Sequence, residues 1–286
     1  MDRKNVFGMN VDDGRELWDG DELIVRRASL KLEREQQMAQ EEYAEHANKA
    51  SIPKYLHVVK FILMIVGLVT VGGFLRAIAD GTSFATAWSN GWFFLVGGLI
   101  CLGGYGIIML VEKKKNKEVV SSEEYAATEK RTVELIERSM AEIGIPSNAI
   151  PVDVFVSAYK IKNGKQKNVS QMVDFCNPEM NLFVEDGNLC IADLQAVVSI
   201  PLSSLERIVE VKKRCVFNSW NKPEPPNKGD YKKFKVTTTN LGTLSVKPYY
   251  SLQFAVNGRD YEVLIPPYDL GPFIMLTHLS VTVPEK

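Results

Sequence analysis

This 286-residue sequence is short of cysteine and histidine, the side chains that zinc sites and disulfide frameworks require. Its four cysteines (Cys101, Cys176, Cys190, Cys215) form no CxxC pair and no even-spaced framework, and there are three histidines, His46, His57 and His278. That leaves neither a structural zinc site nor a disulfide scaffold, so the thiols read as lone and reduced. No phosphate-binding loop, nucleophile elbow or fixed pair of carboxylates is present, which points away from an enzyme and from any cofactor or metal. Net charge is −1, too little to mark a nucleic-acid binder. The first residues, "MDRKNVFGMNVDDG", have no apolar run behind their charges and no Gly at position 2. They are expected to be neither a cleaved signal nor a myristoylation site.

Charge is also missing locally. Residues 91–111 carry none, and 58–79 carry only Lys60 and Arg76, near the two ends. Each run matches the ~20 residues that cross a hydrocarbon core as a helix, so a transmembrane hairpin is expected. The linker "DGTSFATAWSN" has no Lys or Arg, whereas Lys49, Lys54 and Lys60 precede the first run. Lys113, Lys114, Lys115 and Lys117 follow the second. The positive-inside rule therefore places both termini in the cytoplasm. Lys54, Lys60, Arg76, Lys113, Lys114, Lys115 and Lys117, with Trp88 and Trp92, are the expected membrane-interface residues. Gly91/Gly98 and Gly97/Gly104 repeat at seven and predict close helix packing. No acid, His or Asn lies mid-span to relay protons or bind an ion.

Residues 21–50 lack Gly and Pro and are rich in Glu, Gln, Ala and Arg, which predicts helix. After the second run, Ser122 and the acids behind it are good N-capping chemistry. Val133, Ile136, Met140 and Ile143 make an apolar stripe that Gly144 closes. The stripe is expected to bury against the following domain or the opposite helix, or else to self-associate or meet a partner protein.

From Pro146 the pattern turns to period two. Asn163-Gly164, Asp186-Gly187 and Asn257-Gly258 are hairpin signals. Strands are predicted at 180–185, 188–193, 196–201, 205–217, 232–239, 243–247, 250–256 and 260–265. Asp269 is placed to cap a final helix on which Phe273, Leu276 and Leu279 share a face. Such a pattern describes a small barrel or orthogonal sandwich closed by a helix.

The stretches "FVEDGNLCIADLQAVVSIPLSSLERI" and "YSLQFAVNGRDYEVLIPPYDLGPF", with the terminal helix, resemble the bacterial pleckstrin-homology-like domains of membrane-anchored proteins. The resemblance covers roughly 150–286 and implies a seven-stranded barrel that binds or assembles proteins and is not an enzyme. It carries over no functional residue. Glu185 and Asp186 stand where a phosphoinositide site would need cations, which argues against inositol phosphate recognition.

The expected class is thus an α+β membrane protein. Residues 1–55 form a mostly helical cytosolic segment, 56–112 the hairpin, 113–145 a juxtamembrane helix and 146–286 a PH-like barrel capped by a helix. Its expected role is a binding or scaffold module that recruits protein partners, or itself, at the inner membrane, without nucleic acid and with possible anionic-lipid contact. The alternative is a small oligomeric pore or transporter accessory subunit. The Pro/Lys-rich loop 218–230 and its surroundings supply the candidate partner-binding residues Trp220, Lys222, Lys232 and Lys233.

Overall fold

The computed structural model describes residues 3–10, 16–18, 21–162, 165–168, 175–176, 178–238 and 243–283. The expected turn at Asn163-Gly164 lies outside them. Four short strands open the chain: β1 (Lys4–Asn5), β2 (Phe7–Asn10), β3 (Glu16–Trp18) and β4 (Ile24–Arg27). Four helices follow, α1 (Leu30–Ala50), α2 (Lys54–Ala79), α3 (Phe84–Val120) and α4 (Glu123–Ile143). Strands β5 (Ile150–Asp153), β6 (Val156–Lys162), β7 (Lys165–Asn168), β8 (Phe175–Cys176) and β9 (Glu179–Glu185) come next. Then come β10 (Asn188–Ala192), β11 (Ala196–Pro201), β12 (Leu205–Val211), β13 (Cys215–Phe217) and β14 (Thr237–Thr238). The chain closes with β15 (Leu244–Val246), β16 (Tyr249–Val256), β17 (Arg259–Ile265), helix α5 (Leu270–Thr277) and β18 (Val281–Thr282). These elements form two compact units, Met1–Leu32 with Ile136–Lys286, and Glu33–Leu135.

The first unit holds three open sheets, in strand orders β1-β17-β16-β12-β18, β4-β11-β10-β9-β5 and β14-β15-β13-β8-β6-β2-β3, with β7 on β6. The described strands close into no barrel. The turns expected at Asp186-Gly187 and Asn257-Gly258 form with all four residues at positive φ, the geometry of a two-residue hairpin. The strand expected over 232–239 is instead a 3-10 turn, Gly229–Phe234, followed by the two residues of β14. One core gathers Leu182, Leu189, Ile191, Val198, Ile208, Leu252, Phe254 and Val263 under Phe273 of α5. A second gathers Phe155, Phe217, Val246 and Tyr268.

The N-terminal residues differ from the expected helix. Helix α1 starts at Leu30, and the residues before it pair as strands with all three sheets. Lys4 pairs with Tyr261, Gly8 with Ser157 and Arg27 with Ala196. Val6 and Phe7 are 0% and 2% exposed. Arg3 bridges to Glu206 at 2.6 Å, and Asn5 Nδ2 donates to the Phe155 carbonyl at 3.0 Å. Lys4, Asn5, Gly8 and Asn10 are poor strand formers, so burial of Val6 and Phe7 and pairing with distant strands hold this segment extended, and high helix propensity begins only at Leu30.

Helix α4 ends as expected: Gly144 has φ +73°, and the Ile145 N–H returns to the Met140 carbonyl at 2.8 Å. The apolar stripe does not bury as a whole. Ile143 is buried, while Val133 and Ile136 are 49% and 37% exposed.

In the second unit, α2 and α3 form an antiparallel hairpin whose two helices are long and apolar enough to cross a membrane. Only 11% and 6% of their most apolar stretches are buried. Helix α3 begins at Phe84, inside the expected linker, because Ser83 caps it by accepting the Thr86 N–H at 3.2 Å. Its 37 residues span about 55 Å at ~1.5 Å each, so the lysines after residue 112 continue the same helix. Gly67 and Gly98 are the close-approach pair. A Cβ on Gly98 would lie 2.2 Å from Thr70 Oγ1, and one on Gly67 2.6 Å from Leu102. Gly104 lies near Leu63 and Gly91 near Phe74, whereas Gly97 opens onto empty space. The expected Gly97/Gly104 face therefore serves the hairpin at one glycine only.

Candidate functional site

Loop 218–235 lies over the second core and is pinned by one buried ion cluster. Lys222, expected on the surface as a partner-binding cation, has a side chain only 8% exposed. Its Nζ sits 2.7 Å from Asp269 Oδ2 and 3.6 Å from Asp153 Oδ1. Asp269 starts α5 but makes no side-chain cap bond there; its Oδ2 accepts the Asp153 N–H at 2.6 Å instead. Tyr268 Oη donates to Asp153 Oδ2 at 2.9 Å, and Asn221 Nδ2 donates to Asp153 Oδ1 at 3.2 Å. Strand end, loop and helix start are thus joined through two carboxylates and one ammonium.

Trp220, the other expected recognition residue in the loop, packs inward. Its ring meets Tyr268 at 4.9 Å and Tyr231 at 5.2 Å, both edge-on, and its Nε1 donates to the Glu224 carbonyl. Lys232 and Lys233 remain exposed, with Lys233 Nζ 5.2 Å from the centre of the Phe234 ring. Of the four candidates, the structure brings Trp220 and Lys222 into one packed cluster and leaves the other two outward.

Burial pulls the Lys222 ammonium toward neutrality, but Asp269, Asp153 and Glu179 outweigh it, and its pKa lies above the ordinary value. Burial pushes the Asp269 carboxyl up, against the pull of Lys222 and of the Asp153 N–H. The 2.7 Å contact decides for a charged pair. Burial, reinforced by Asp153, holds the Tyr268 phenol far above its ordinary range. A lysine held charged and a tyrosine held neutral are a poor base and a poor nucleophile, so this chemistry fits a structural clamp.

The expected interface residues lie on the helix pair. Lys60 reaches across it to Glu112 at 2.6 Å, and Lys115 Nζ donates to the Ser51 carbonyl at 2.7 Å. Arg76 pairs with Asp80 at 3.6 Å and Lys114 with Glu118 at 3.8 Å, each one turn along its own helix. Lys113 and Lys117 are exposed; the Lys54 side chain lies outside the described residues. Trp88, stacked on Phe84 at 5.9 Å, and Trp92 are 43% and 49% exposed.

Sequence reasoning missed a polar seam between α1 and α4. His46, 3% exposed, shares a 3.1 Å hydrogen bond with Thr128 Oγ1. Thr128, itself 1% exposed, donates to Glu42 at 2.9 Å, and Arg131 closes on the same carboxylate. The Tyr43 and Tyr125 hydroxyls meet at 2.6 Å, which pushes the Tyr125 phenol up. Thr128 and His46 carry no hydrophobic periodicity, so only the spacing of four to Thr132 offered a signal.

Glu185, in the turn where a phosphoinositide site would want cations, pairs with Arg26 at 2.6 Å. Among the described residues no cluster of His, Cys, Asp and Glu is arranged to hold a metal ion. No family model, no curated protein and no solved structure matches the chain.

Proposed function

We propose that this chain is a membrane-anchored binding or scaffold module of the bacterial inner membrane. A two-helix hairpin crosses the bilayer, both termini face the cytoplasm, and a PH-like β unit recruits or assembles protein partners there. One observation carries the reading: strands from before the hairpin pair with strands from after it, Lys4 with Tyr261 and Arg27 with Ala196. Chain ends that share a sheet must lie on one side of any bilayer between them, which requires an even number of crossings. The chain has two helices suited to cross, and a soluble core helix would be mostly buried, where these are not. Lysines at 113–117 against none in the connection between the helices orient the hairpin with its tip outside.

Support for the PH-like kinship is the run β9 to β12 and, after the excursion through β13, β14 and β15, β16, β17 and then α5, whose Phe273 enters the shared core. The protein-binding role rests on that kinship.

The test uses single cysteines at two exposed positions, Val25→Cys and Met275→Cys, 58% and 56% exposed in the native chain. In intact cells an impermeant maleimide should label neither, and both should react after permeabilisation. Labelling of both in intact cells inverts the orientation. Labelling of only one removes the even crossing.

A further inference from the structure

We propose that the end of the β unit where β12 passes into β13 and β15 into β16 is a docking surface for an anionic bilayer. The proposal rests on the membrane-anchored reading above. The chain makes this corner twice. The turn Lys212–Arg214 links Val211, paired with Tyr249, to Cys215, paired with Val246. Lys247 and Pro248 make the return between those same partners, so Arg214 and Lys247 are the residues just past one strand pair. On the other side of β15, Thr237 pairs with Ser245, and Lys235, two residues earlier, ends the 3-10 turn that leads into that strand. Arg214 and Lys247 therefore flank the Cys215–Val246 pair on two neighbouring strands, and Lys235 leads into β14 on the other side of β15. Lys212, Lys213, Lys232 and Lys233 flank these three, and every one of these side chains is exposed.

The segments that build this end contain no acid at all: none lies in 211–223 and none in 231–259. The flanking acids are Glu210 on β12, opposite Tyr250, Glu224, whose carboxylate lies against Gly229, Asp230 at the head of the 3-10 turn, and Asp260, opposite Ala255 at the far end of β16. Among the described residues no carboxylate forms an ion pair with Lys213, Arg214, Lys232, Lys233, Lys235 or Lys247. Unpaired like charges this close repel one another, and a surface that keeps them is relieved by an anionic partner.

The partner's chemistry follows from what else the end presents. Among the described residues no large apolar side chain between 185 and 274 is exposed. The surface therefore lacks the aromatic or aliphatic anchors on which specific protein interfaces centre. A diffuse cationic face without anchors suits a plane of anionic headgroups, and a chain that carries its own bilayer helices never leaves one.

The test uses the full chain in two arms. Flotation with neutral phosphatidylcholine vesicles after carbonate washing tests the hairpin alone. Acetylation of lysines in nanodiscs, with or without phosphatidylglycerol, tests the surface. Lys213, Lys232, Lys233, Lys235 and Lys247 should react more slowly on phosphatidylglycerol than on neutral lipid, while exposed Lys130 should not change. Each of Lys213→Gln, Lys233→Gln and Lys247→Gln should weaken the protection by about fivefold. High salt should abolish it, because the screening length falls to about 3 Å at 1 M. Equal reactivity on both lipids in a protein that floats overturns the surface and leaves the hairpin standing. Protection by added polyglutamate but not by phosphatidylglycerol also overturns it, in favour of an acidic protein segment. Failure to float on neutral lipid sinks the hairpin instead. The same protein floating on phosphatidylglycerol vesicles would then still support the surface.

Discussion

Lys222 and Asp269 meet at 2.7 Å inside the β unit, joining a loop that reads as surface to the N-cap residue of a helix 47 positions later. The contact converts an apparent recognition loop into a cover for the second core. Removing the ammonium leaves Asp153 and Asp269 buried without their cation. Lys222→Met is expected to cost about 3–5 kcal/mol in urea unfolding. Asp269→Asn in the same chain should return part of it, and a loss below about 1 kcal/mol would show the cluster to be solvated.

Trp220 separates packing from recognition. With Tyr268 and Tyr231 against its ring, Trp220→Ala should lower stability by about 2 kcal/mol, below the fully buried range because the side chain is only half-buried. Unchanged stability with lost recovery of a crosslinked partner would assign it to recognition.

The N-terminal strands are expected to be part of the β unit's fold. Phe7, 2% exposed, should cost about 3–5 kcal/mol when replaced by Ala. A fragment beginning at 136 should remain unfolded by circular dichroism and regain structure when residues 1–32 are co-expressed. Independent folding of the fragment would refute this.

In the hairpin, Gly98→Leu should separate α2 from α3, because its new side chain meets Thr70 and Val71, while Gly97→Leu points into open space and should be tolerated. Disulfide crosslinking between cysteines placed on α2 and α3 would read the difference. Equal behaviour of the two variants contradicts the packing.

Alkali should weaken the β unit. Lys222 and Tyr268 both have folded pKa values above their ordinary 10.5 and 10.0, so the native state holds its protons longer than the unfolded chain. Their stability is full below pH 10 and drains as pH rises toward the folded values. Tyr250 and Tyr261 act in the same direction. The melting temperature should fall from about pH 10 upward, and less steeply in Tyr268→Phe. A flat profile would contradict the burial of these groups.

Local signals determined much of the molecule. The apolar runs, the lysines behind them, Gly144 at the end of α4 and the Asp186-Gly187 and Asn257-Gly258 turns are legible because each depends on residues within a few positions. What only the tertiary structure decided are relationships over long separations. Lys4 beside Tyr261, Lys222 against Asp269, and Cys215 opposite Val246 depend on how distant segments meet, which no periodicity records. The apolar stripe of α4 shows the same limit, since Val133 and Ile136 stay exposed while Thr128 and Ser139 are buried. Hydrophobicity says which side chains gain from burial, but the partner across the interface sets which face is covered, and here that partner is a polar helix.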